Sequence, residues 1–308
     1  MKILITGSGG MLGHELCGVL SKAGHNVIGV DINPPDTRYP IPNTFSIADI
    51  NDKRVLNSVF EKENPGIVVH TAAWTDVDGC EKSPQRALEI NSRGTINVAE
   101  AAKKFSARLV YISTDFVFDG MKKSPYTELD ACAPLGVYAK TKWEGEKAAA
   151  RILENYAVVR TSWLFGRGGK NFVNTIISKV SEEKALKVVD DQIGSPTYAK
   201  DLAYAINKLI EKGIKGKETY HVCNSGQCSW FDFALKIKSL VPAMKDAVIE
   251  AVSSAELGRP APRPAFSVMD TSKFRNYTGM ELRNWEEALR EYLLERCHPE
   301  EAAGDRRI

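Results

Sequence analysis

The chain has 308 residues, of which 43% are hydrophobic and 26% are charged, and its formal net charge is +2. Such a composition is typical of a globular protein with a core large enough for two lobes. A charge so near zero gives no basis for a nucleic-acid or membrane surface. No apolar run reaches the about 20 residues that a bilayer requires. We therefore expect no nucleic acid and no membrane among its partners.

The cysteines indicate the redox environment of the protein, and the histidines bear on whether it has a metal site. Six cysteines are scattered along the chain without a CxxC pair, and the five histidines are isolated from one another. Scattered thiols predict a reducing environment and ordinary packing rather than disulfides or zinc. Any one of the histidines could serve a site, but an ordinary structural role is the preferred interpretation for each. The first seven residues are typical of a strand entering a turn, not of a signal peptide. We expect a cytoplasmic protein.

Apolar, β-branched runs alternate with helical patterns through the first half of the chain. Strands are predicted at residues 2–6, 27–31, 44–47, 67–71, 108–113 and 157–161. Helices are predicted at residues 11–23, 51–63, 84–104 and about 135–154. This alternation predicts an α/β fold: a Rossmann-like, doubly wound parallel sheet covered on both faces.

A glycine-rich loop joins the first strand to the first helix. Gly7 would allow the tight turn, Gly10 would let a pyrophosphate approach the backbone, and Gly13 would let the helix pack closely. Met11 and Leu12 lie in the same first helical turn, whose N-terminus favours phosphate. The strand before the loop and the helix after it make this pattern predict a dinucleotide cofactor.

Acidic residues follow the next two strands. Asp31 closes the second strand, where a carboxylate can accept hydrogen bonds from the adenosine ribose and favour NADH. Its alternative is a strand-end aspartate that faces water, and the nearby Arg38 keeps NADPH open. Asp49 and Ile50 follow the third strand and are placed to meet the adenine. A helix-capping role for Asp49 is the alternative.

The regular alternation fades after residue 162. We predict an NAD(P)-binding Rossmann domain over residues 1–162 and a smaller, mixed α/β substrate-binding lobe over residues 163–298. A helix at 199–212 is expected to pack back onto the first domain. The lobe is predicted to contain helices at 171–183 and 285–296 and a strand at 186–189, and residues 299–308 are predicted to be a frayed tail.

Three side chains form a candidate catalytic set. Tyr138 and Lys142 are four residues apart, so a helix places them on one face, and Thr114 follows the fifth strand. Tyr138 would protonate a developing alkoxide, Thr114 would hydrogen-bond the same oxygen, and Lys142 would lower the phenol pKa and hold the nicotinamide ribose. The alternative is a surface tyrosine and lysine on an amphipathic helix.

With these residues the chain resembles the extended short-chain dehydrogenases/reductases, and within them the dTDP-4-dehydrorhamnose reductases. The segments that carry the narrower resemblance are 71–78 with Glu81, 113–120, 160–166, 191–197 with 201–203, and 263–270. Phe116 and Met269 depart from the family, which often has tyrosine and leucine there. Phe116 removes one possible substrate hydrogen bond, whereas Met269 is a conservative packing change.

The resemblance implies that NADH or NADPH reduces the 4-keto group of dTDP-4-dehydro-L-rhamnose to give dTDP-L-rhamnose for surface polysaccharide. It implies that cofactor contacts come from Ala72, Ala73 and Thr75 and substrate contacts from Thr75, Val77, Thr114, Asp115, Trp163 and Arg263. A homodimer is possible. Some members hold Mg²⁺ between acids, for which Glu15, Asp190 and Asp191 are candidates, although solvated surface acids are the preferred interpretation and no metal is predicted.

Two other functions remain open on this scaffold. The beta subunit of methionine adenosyltransferase resembles the same family and acts as a non-catalytic regulator. Sugar-nucleotide epimerases and dehydratases share the first-half motifs, but an epimerase would keep NAD tightly bound. The presence of Thr114, Tyr138 and Lys142 favours catalysis.

Overall fold

A parallel sheet of seven strands forms the centre of the computed structural model, which describes residues 1–180 and 185–297. Its strands are β1 (Lys2–Thr6), β2 (Asn26–Asp31), β3 (Thr44–Ile47), β4 (Ile67–His70), β5 (Arg108–Thr114), β6 (Tyr156–Thr161) and, after four short strands of the second half, β11 (Lys217–His221). Their spatial order is β11-β6-β5-β4-β1-β2-β3. The order reverses beside β1, which is where a doubly wound sheet binds its ligand. The predicted fold class is confirmed.

Helices cover both faces of this sheet. In chain order they are α1 (Met11–Lys22), α2 (Lys53–Glu63), α3 (Val77–Lys82), α4 (Pro84–Ala87), α5 (Thr95–Lys104) and α6 (Val137–Ile152). One buried apolar cluster joins α1, the sheet and α8 (Ala199–Lys212), and a second joins α2, α5 and α6 to the opposite face. The second half of the chain therefore contributes both α8 and the edge strand β11 to this layered core.

The second half also builds a smaller mixed region. Its elements are β7 (Leu164–Phe165), α7 (Phe172–Val180), β8 (Ala185–Val189), β9 (Ile193–Gly194), β10 (Thr197–Tyr198), β12 (Cys228–Ser229), α9 (Trp230–Leu240), β13 (Val248–Val252), α10 (Ser254–Leu257), α11 (Ser272–Thr278) and α12 (Trp285–Cys297). An aromatic-rich cluster around Phe165, Tyr198 and Phe233 forms its core. The domain boundaries remain a prediction, and the predicted tail and the end of the 171–183 helix lie outside the described residues.

Two segments differ from the predicted elements. The single helix predicted at 84–104 is interrupted between α4 and α5 by a π-helix at Leu88–Gly94, and α3 precedes it unpredicted. Helix α2 begins at Lys53 rather than Asn51 because the Asp52 side chain accepts hydrogen bonds from the Arg54 and Val55 amides and caps it. Along the described part of the chain, none of the helices has the length and apolarity to cross a bilayer.

Candidate active site

The glycine loop forms a close-packed turn between β1 and α1. Gly7 has a positive φ of 72°, and a Cβ on Gly13 would lie 2.2 Å from the Gly7 carbonyl oxygen. A side chain is therefore excluded where the loop meets the helix. Gly10 is the N-cap of α1, and no side chain caps this helix. Its first amides are consequently available to an anion, so this loop fits the pyrophosphate of a dinucleotide.

Asp31 faces this loop from the end of β2. Its Oδ2 accepts a hydrogen bond from the Gly9 amide at 3.0 Å, and its Oδ1 accepts one from the Asn33 amide at 3.2 Å. The carboxylate thus helps to hold the loop while it stays half-buried beside it. The exposed Arg38 is paired with Asp36. Ribose selection by Asp31 remains a prediction.

The residues after β3 are also held by local contacts. Asp49 Oδ1 accepts a hydrogen bond from the Asn51 amide at 2.8 Å, whereas the cap of α2 is Asp52, so the alternative capping role for Asp49 is wrong. Ile50 and Leu12 are only 6% and 5% exposed and pack in the core. Any cofactor contact of these two residues would therefore use mostly backbone. Met11 is half-buried against Gly166 and Gly169.

Thr114, Asp115 and Tyr138 meet at the carboxyl end of β5. Thr114 Oγ1 lies 3.1 Å from Asp115 Oδ1 and accepts a hydrogen bond from the Phe116 amide at 3.2 Å. The Phe116 ring meets the Tyr138 ring edge-on, with centroids 6.2 Å apart. The residue that departs from the family pattern therefore packs against the predicted proton donor.

The pKa values of this group differ from the prediction. Burial raises the pKa of Tyr138 above its ordinary range, the Asp115 carboxyl raises it further, and the Thr114 hydroxyl lowers it in part. The predicted lowering of the phenol pKa by Lys142 is thus wrong for this arrangement, since desolvation outweighs any effect of the ammonium. A phenol with a raised pKa remains protonated at neutral pH, as a proton donor must.

Lys142 lies one helical turn after Tyr138 on α6 and is only 4% exposed. Its Nζ lies 4.3 Å from the centroid of the Tyr111 ring. Burial lowers the pKa of Lys142 to about 7, and the carboxylate of Glu146 opposes this shift. Glu146 accepts hydrogen bonds from Ser113 Oγ at 2.5 Å and from Arg160 Nη2 at 2.7 Å. Burial thus makes the ammonium of Lys142 easier to deprotonate, and a bound anion would favour its charged form.

Two residues that position this site were not assigned a role from sequence. Glu81 on α3 accepts a hydrogen bond from the Val137 amide at 2.9 Å. The N-cap residue of α6 is Gly136, which has no side chain to cap the helix, so Glu81 supplies the cap from another helix. Asn91, buried in the π-helix, bonds the Trp74 amide at 2.7 Å and the Trp74 carbonyl at 3.1 Å. A polar residue on the buried face of a predicted helix was the available signal for Asn91.

Ala72, Ala73, Thr75 and Val77 follow the end of β4, beside the glycine loop: a Cβ on Gly7 would lie 2.7 Å from the Ala72 amide nitrogen. Thr75 is exposed, and the other three are half-buried. The structure thus places these four predicted contact residues along the same edge of the sheet as Gly10, Thr114 and Tyr138.

Trp163 lies just past β6 with a positive φ of 46°. Its indole stacks on Trp230 with centroids 3.6 Å apart and planes 7° apart, and Gly194 packs against its ring. A left-handed backbone at a tryptophan is strained and is held here by these contacts. The indole is half-buried at the margin of the smaller region.

Arg263, the predicted diphosphate ligand, is engaged within the protein. Its Nη2 lies 3.0 Å from Asp78 Oδ2, and its Nη1 donates to the Ala261 carbonyl at 2.9 Å. Asp78 also pairs with Arg259 at 3.5 Å. Arg263 could reach a diphosphate only by exchanging Asp78 for it.

Two of the acids considered for Mg²⁺ are engaged by other groups of the protein. Glu15 pairs with Arg167 at 3.3 Å, and Asp191 accepts hydrogen bonds from the Ser254 amide and hydroxyl at 2.8 and 2.6 Å. Within residues 1–180 and 185–297, no three acidic, histidine or cysteine side chains form a group that could hold a metal.

Comparison with known proteins identifies the family to which the chain belongs. The model of the RmlD substrate binding domain matches residues 1–297. This chain belongs to that family. The spore coat polysaccharide biosynthesis protein SpsK of Bacillus subtilis is 41% identical, over 96% of this chain and 98% of its own. A dTDP-4-dehydrorhamnose reductase of Aggregatibacter actinomycetemcomitans is 35% identical, over 94% of this chain and 97% of its own.

A solved structure agrees with this membership of the RmlD family. The dTDP-4-dehydrorhamnose reductase of Bacillus anthracis in complex with NADP has a TM-score of 0.86 and 38% identity, covering 96% of this chain and 99% of that chain. The resemblance inferred from the motifs is therefore confirmed at the level of the family.

Proposed function

We propose that the protein is a dTDP-4-dehydrorhamnose reductase: an NAD(P)H-dependent oxidoreductase that reduces the 4-keto group of dTDP-4-dehydro-L-rhamnose for surface polysaccharide synthesis. The observation that carries the proposal is that Thr114 and Tyr138 meet at a strand end on the same sheet edge as an uncapped, glycine-lined helix N-terminus. The relatives of that name, and the NADP complex of one of them, support the substrate and the cofactor.

The cofactor would be held by the residues already described. The amides at the start of α1 would bind the pyrophosphate, Asp31 the adenosine ribose, and Lys142 the nicotinamide ribose. A reduced nicotinamide bound there supplies a hydride. We infer use of either NADH or NADPH, with Asp31 favouring NADH.

The protein's own contribution is to move a proton. Tyr138, kept neutral by its burial, would donate the phenolic proton to the oxygen of the ketone as that oxygen becomes an alkoxide. Thr114 would hydrogen-bond the two reacting oxygens, those of the ketone and of the Tyr138 phenol. Phe116 would fix the orientation of the phenol ring. Trp163 would offer its face to the deoxysugar, while Thr75, Val77 and Arg263 would line the rest of the pocket. Asp115, predicted from sequence to contact the substrate, is only 2% exposed and would lie behind Thr114 instead. A cytoplasmic location and a homodimer remain predictions.

The proposal is tested by supplying dTDP-4-dehydro-L-rhamnose with NADH or NADPH and following absorbance loss and product identity. We expect one dTDP-L-rhamnose for each reduced cofactor oxidised, and no cofactor to copurify at stoichiometric level. Cofactor binding without turnover would instead favour the regulatory function. A product formed without net oxidation would favour an epimerase.

A further inference from the structure

Asp115 is a buried acid whose environment does not suit a carboxylate. It is 2% exposed, and its Oδ2 has no hydrogen-bond partner among the described residues. A charged oxygen left unpartnered in the interior is far costlier than a neutral carbonyl oxygen. In agreement, burial raises the pKa of Asp115 to about 7, although the Ser267 and Thr114 hydroxyls lower it in part.

None of the titratable groups described beside Asp115 carries a positive charge that would stabilise its carboxylate. Tyr138 on α6 and Cys223, which follows β11, are the ones whose own pKa values Asp115 perturbs. Burial raises the pKa of the Cys223 thiol to about 12 and that of the Tyr138 phenol as well, so both are neutral near pH 7. Asp115 therefore titrates among neutral groups.

Resting on the proposed function, we propose that Asp115 is a positioning residue whose proton decides whether the single hydrogen of the Thr114 hydroxyl points toward the neighbouring phenol of Tyr138 or back toward Asp115. A neutral Asp115 donates to Thr114 Oγ1, 3.1 Å from its Oδ1, and the Phe116 amide donates to the same oxygen. The single Thr114 hydrogen is then free for the Tyr138 oxygen. The phenolic proton in turn points toward the ketone.

A charged Asp115 reverses this direction. The Thr114 hydrogen turns to Asp115 Oδ1, and the vacated lone pair of Thr114 accepts the phenolic hydrogen of Tyr138. The proton donor is then directed away from the substrate. The proton on Asp115 therefore selects the direction of the Thr114 hydrogen, and turnover falls as pH rises through the titration of Asp115.

The first test observes the carboxyl without substrate. Infrared difference spectra between the wild type and the Asp115→Asn variant isolate the carbonyl stretch of a neutral Asp115. We expect that band at low pH and its loss with a midpoint at about 7. A carboxyl that is already ionised about two units below that midpoint would overturn the proposal.

The second test compares kcat against pH for the wild type, Asp115→Asn and Asp115→Leu. Asparagine donates to Thr114 permanently and cannot ionise, whereas leucine does neither. We expect the alkaline decrease that belongs to Asp115 to disappear in both variants, and Asp115→Asn to exceed Asp115→Leu by about fivefold or more, the rate equivalent of one hydrogen bond.

Lys142 is present in all three proteins, so its titration cancels in the comparison. A profile of Asp115→Asn that matches the wild type, or a kcat no higher than that of Asp115→Leu, would contradict the proposal. Absence of turnover in every protein would refute the proposed function instead, and the infrared titration would still decide whether Asp115 carries the proton.

Discussion

Tyr138 is the side chain on which the proposed proton transfer depends. We expect Tyr138→Phe to lower kcat by at least about 10²-fold, because a positioned acid contributes that much, while the Kd of the cofactor changes little. Steady-state kinetics and fluorescence titration measure the two effects. Tyr204→Phe, at an exposed position on α8, is the matched control. Near-normal turnover of Tyr138→Phe would remove this residue from the mechanism.

Asp31 is predicted to discriminate between the two nicotinamide cofactors. The structure adds that its carboxylate also holds the Gly9 amide, so Asp31→Ala should weaken both cofactors through the loop. Loss of the ribose contact affects NADH further, whereas loss of the negative charge favours the 2′-phosphate of NADPH. We therefore expect the ratio of the NADPH Kd to the NADH Kd to fall.

Titrations of both cofactors against Asp31→Ala and the surface control Asp246→Ala measure this ratio, since the Asp246 side chain is 89% exposed. An equal loss of affinity for NADH and NADPH would assign Asp31 to the loop alone.

Helix α6 carries Tyr138 and Lys142, yet its N-terminus depends on α3. Because Glu81 supplies the bond that Gly136 cannot, Glu81→Ala should lower the free energy of unfolding by about 1 kcal/mol. It should also lower kcat, because Tyr138 lies in the first turn. Glu81→Gln, which still has an acceptor oxygen, should restore most of both quantities.

Chemical denaturation and kcat of the two Glu81 variants, with the exposed Glu154→Ala as control, measure these effects. If Glu81→Ala has the stability and kcat of Glu154→Ala, the capping bond is unimportant.

Prediction from sequence succeeded where the information is local. The predicted strands match β1 to β6 to within one residue, since each is a short run of apolar and β-branched residues ended by glycine or polar residues. Five of the six are buried, and β3 is exposed or half-buried along its length. The π-helix was missed because residues 88–94 have an ordinary helical pattern. The cap of α6 was missed because its donor and acceptor lie 56 residues apart.

The electrostatics of the candidate site were the least predictable part. Sequence spacing places Tyr138 beside Lys142, but it does not report how deeply either group is buried. Burial raises the pKa of Tyr138 and lowers that of Lys142 to about 7, and it also leaves Asp115 without a partner for one oxygen. The groups that interact with Asp115 include Ser267 and Cys223, which lie far along the chain, so no local spacing connects them to it.

At the scale of the whole molecule, two buried histidines should make folding sensitive to acid. His70 and His221 are 0% exposed, and burial lowers the pKa of each to about 3. In the unfolded chain each histidine binds a proton near the ordinary imidazole pKa of about 6.5, whereas in the folded protein it stays neutral. The free energy of unfolding is therefore highest above about pH 6.5 and decreases as the pH falls toward the pKa of the folded state. Each histidine should lower the free energy of unfolding by about 2 kcal/mol when the pH falls from about 7 to 5.

Urea unfolding at the two pH values, for the wild type, His70→Asn and His221→Asn, tests this account. Each variant should lose its own share of the pH dependence even if it is less stable at both pH values. Variants that keep the full dependence of the wild type would show that other groups cause it.

The most direct test of the proposed reaction follows the hydride itself. With NADH or NADPH that carries deuterium at both hydrogen positions of the nicotinamide C4, and with dTDP-4-dehydro-L-rhamnose, we predict a dTDP-L-rhamnose that carries one deuterium at C4 of the sugar for each cofactor oxidised. Cofactor that stays reduced in the presence of the ketone, or a product without deuterium at C4, would contradict the account.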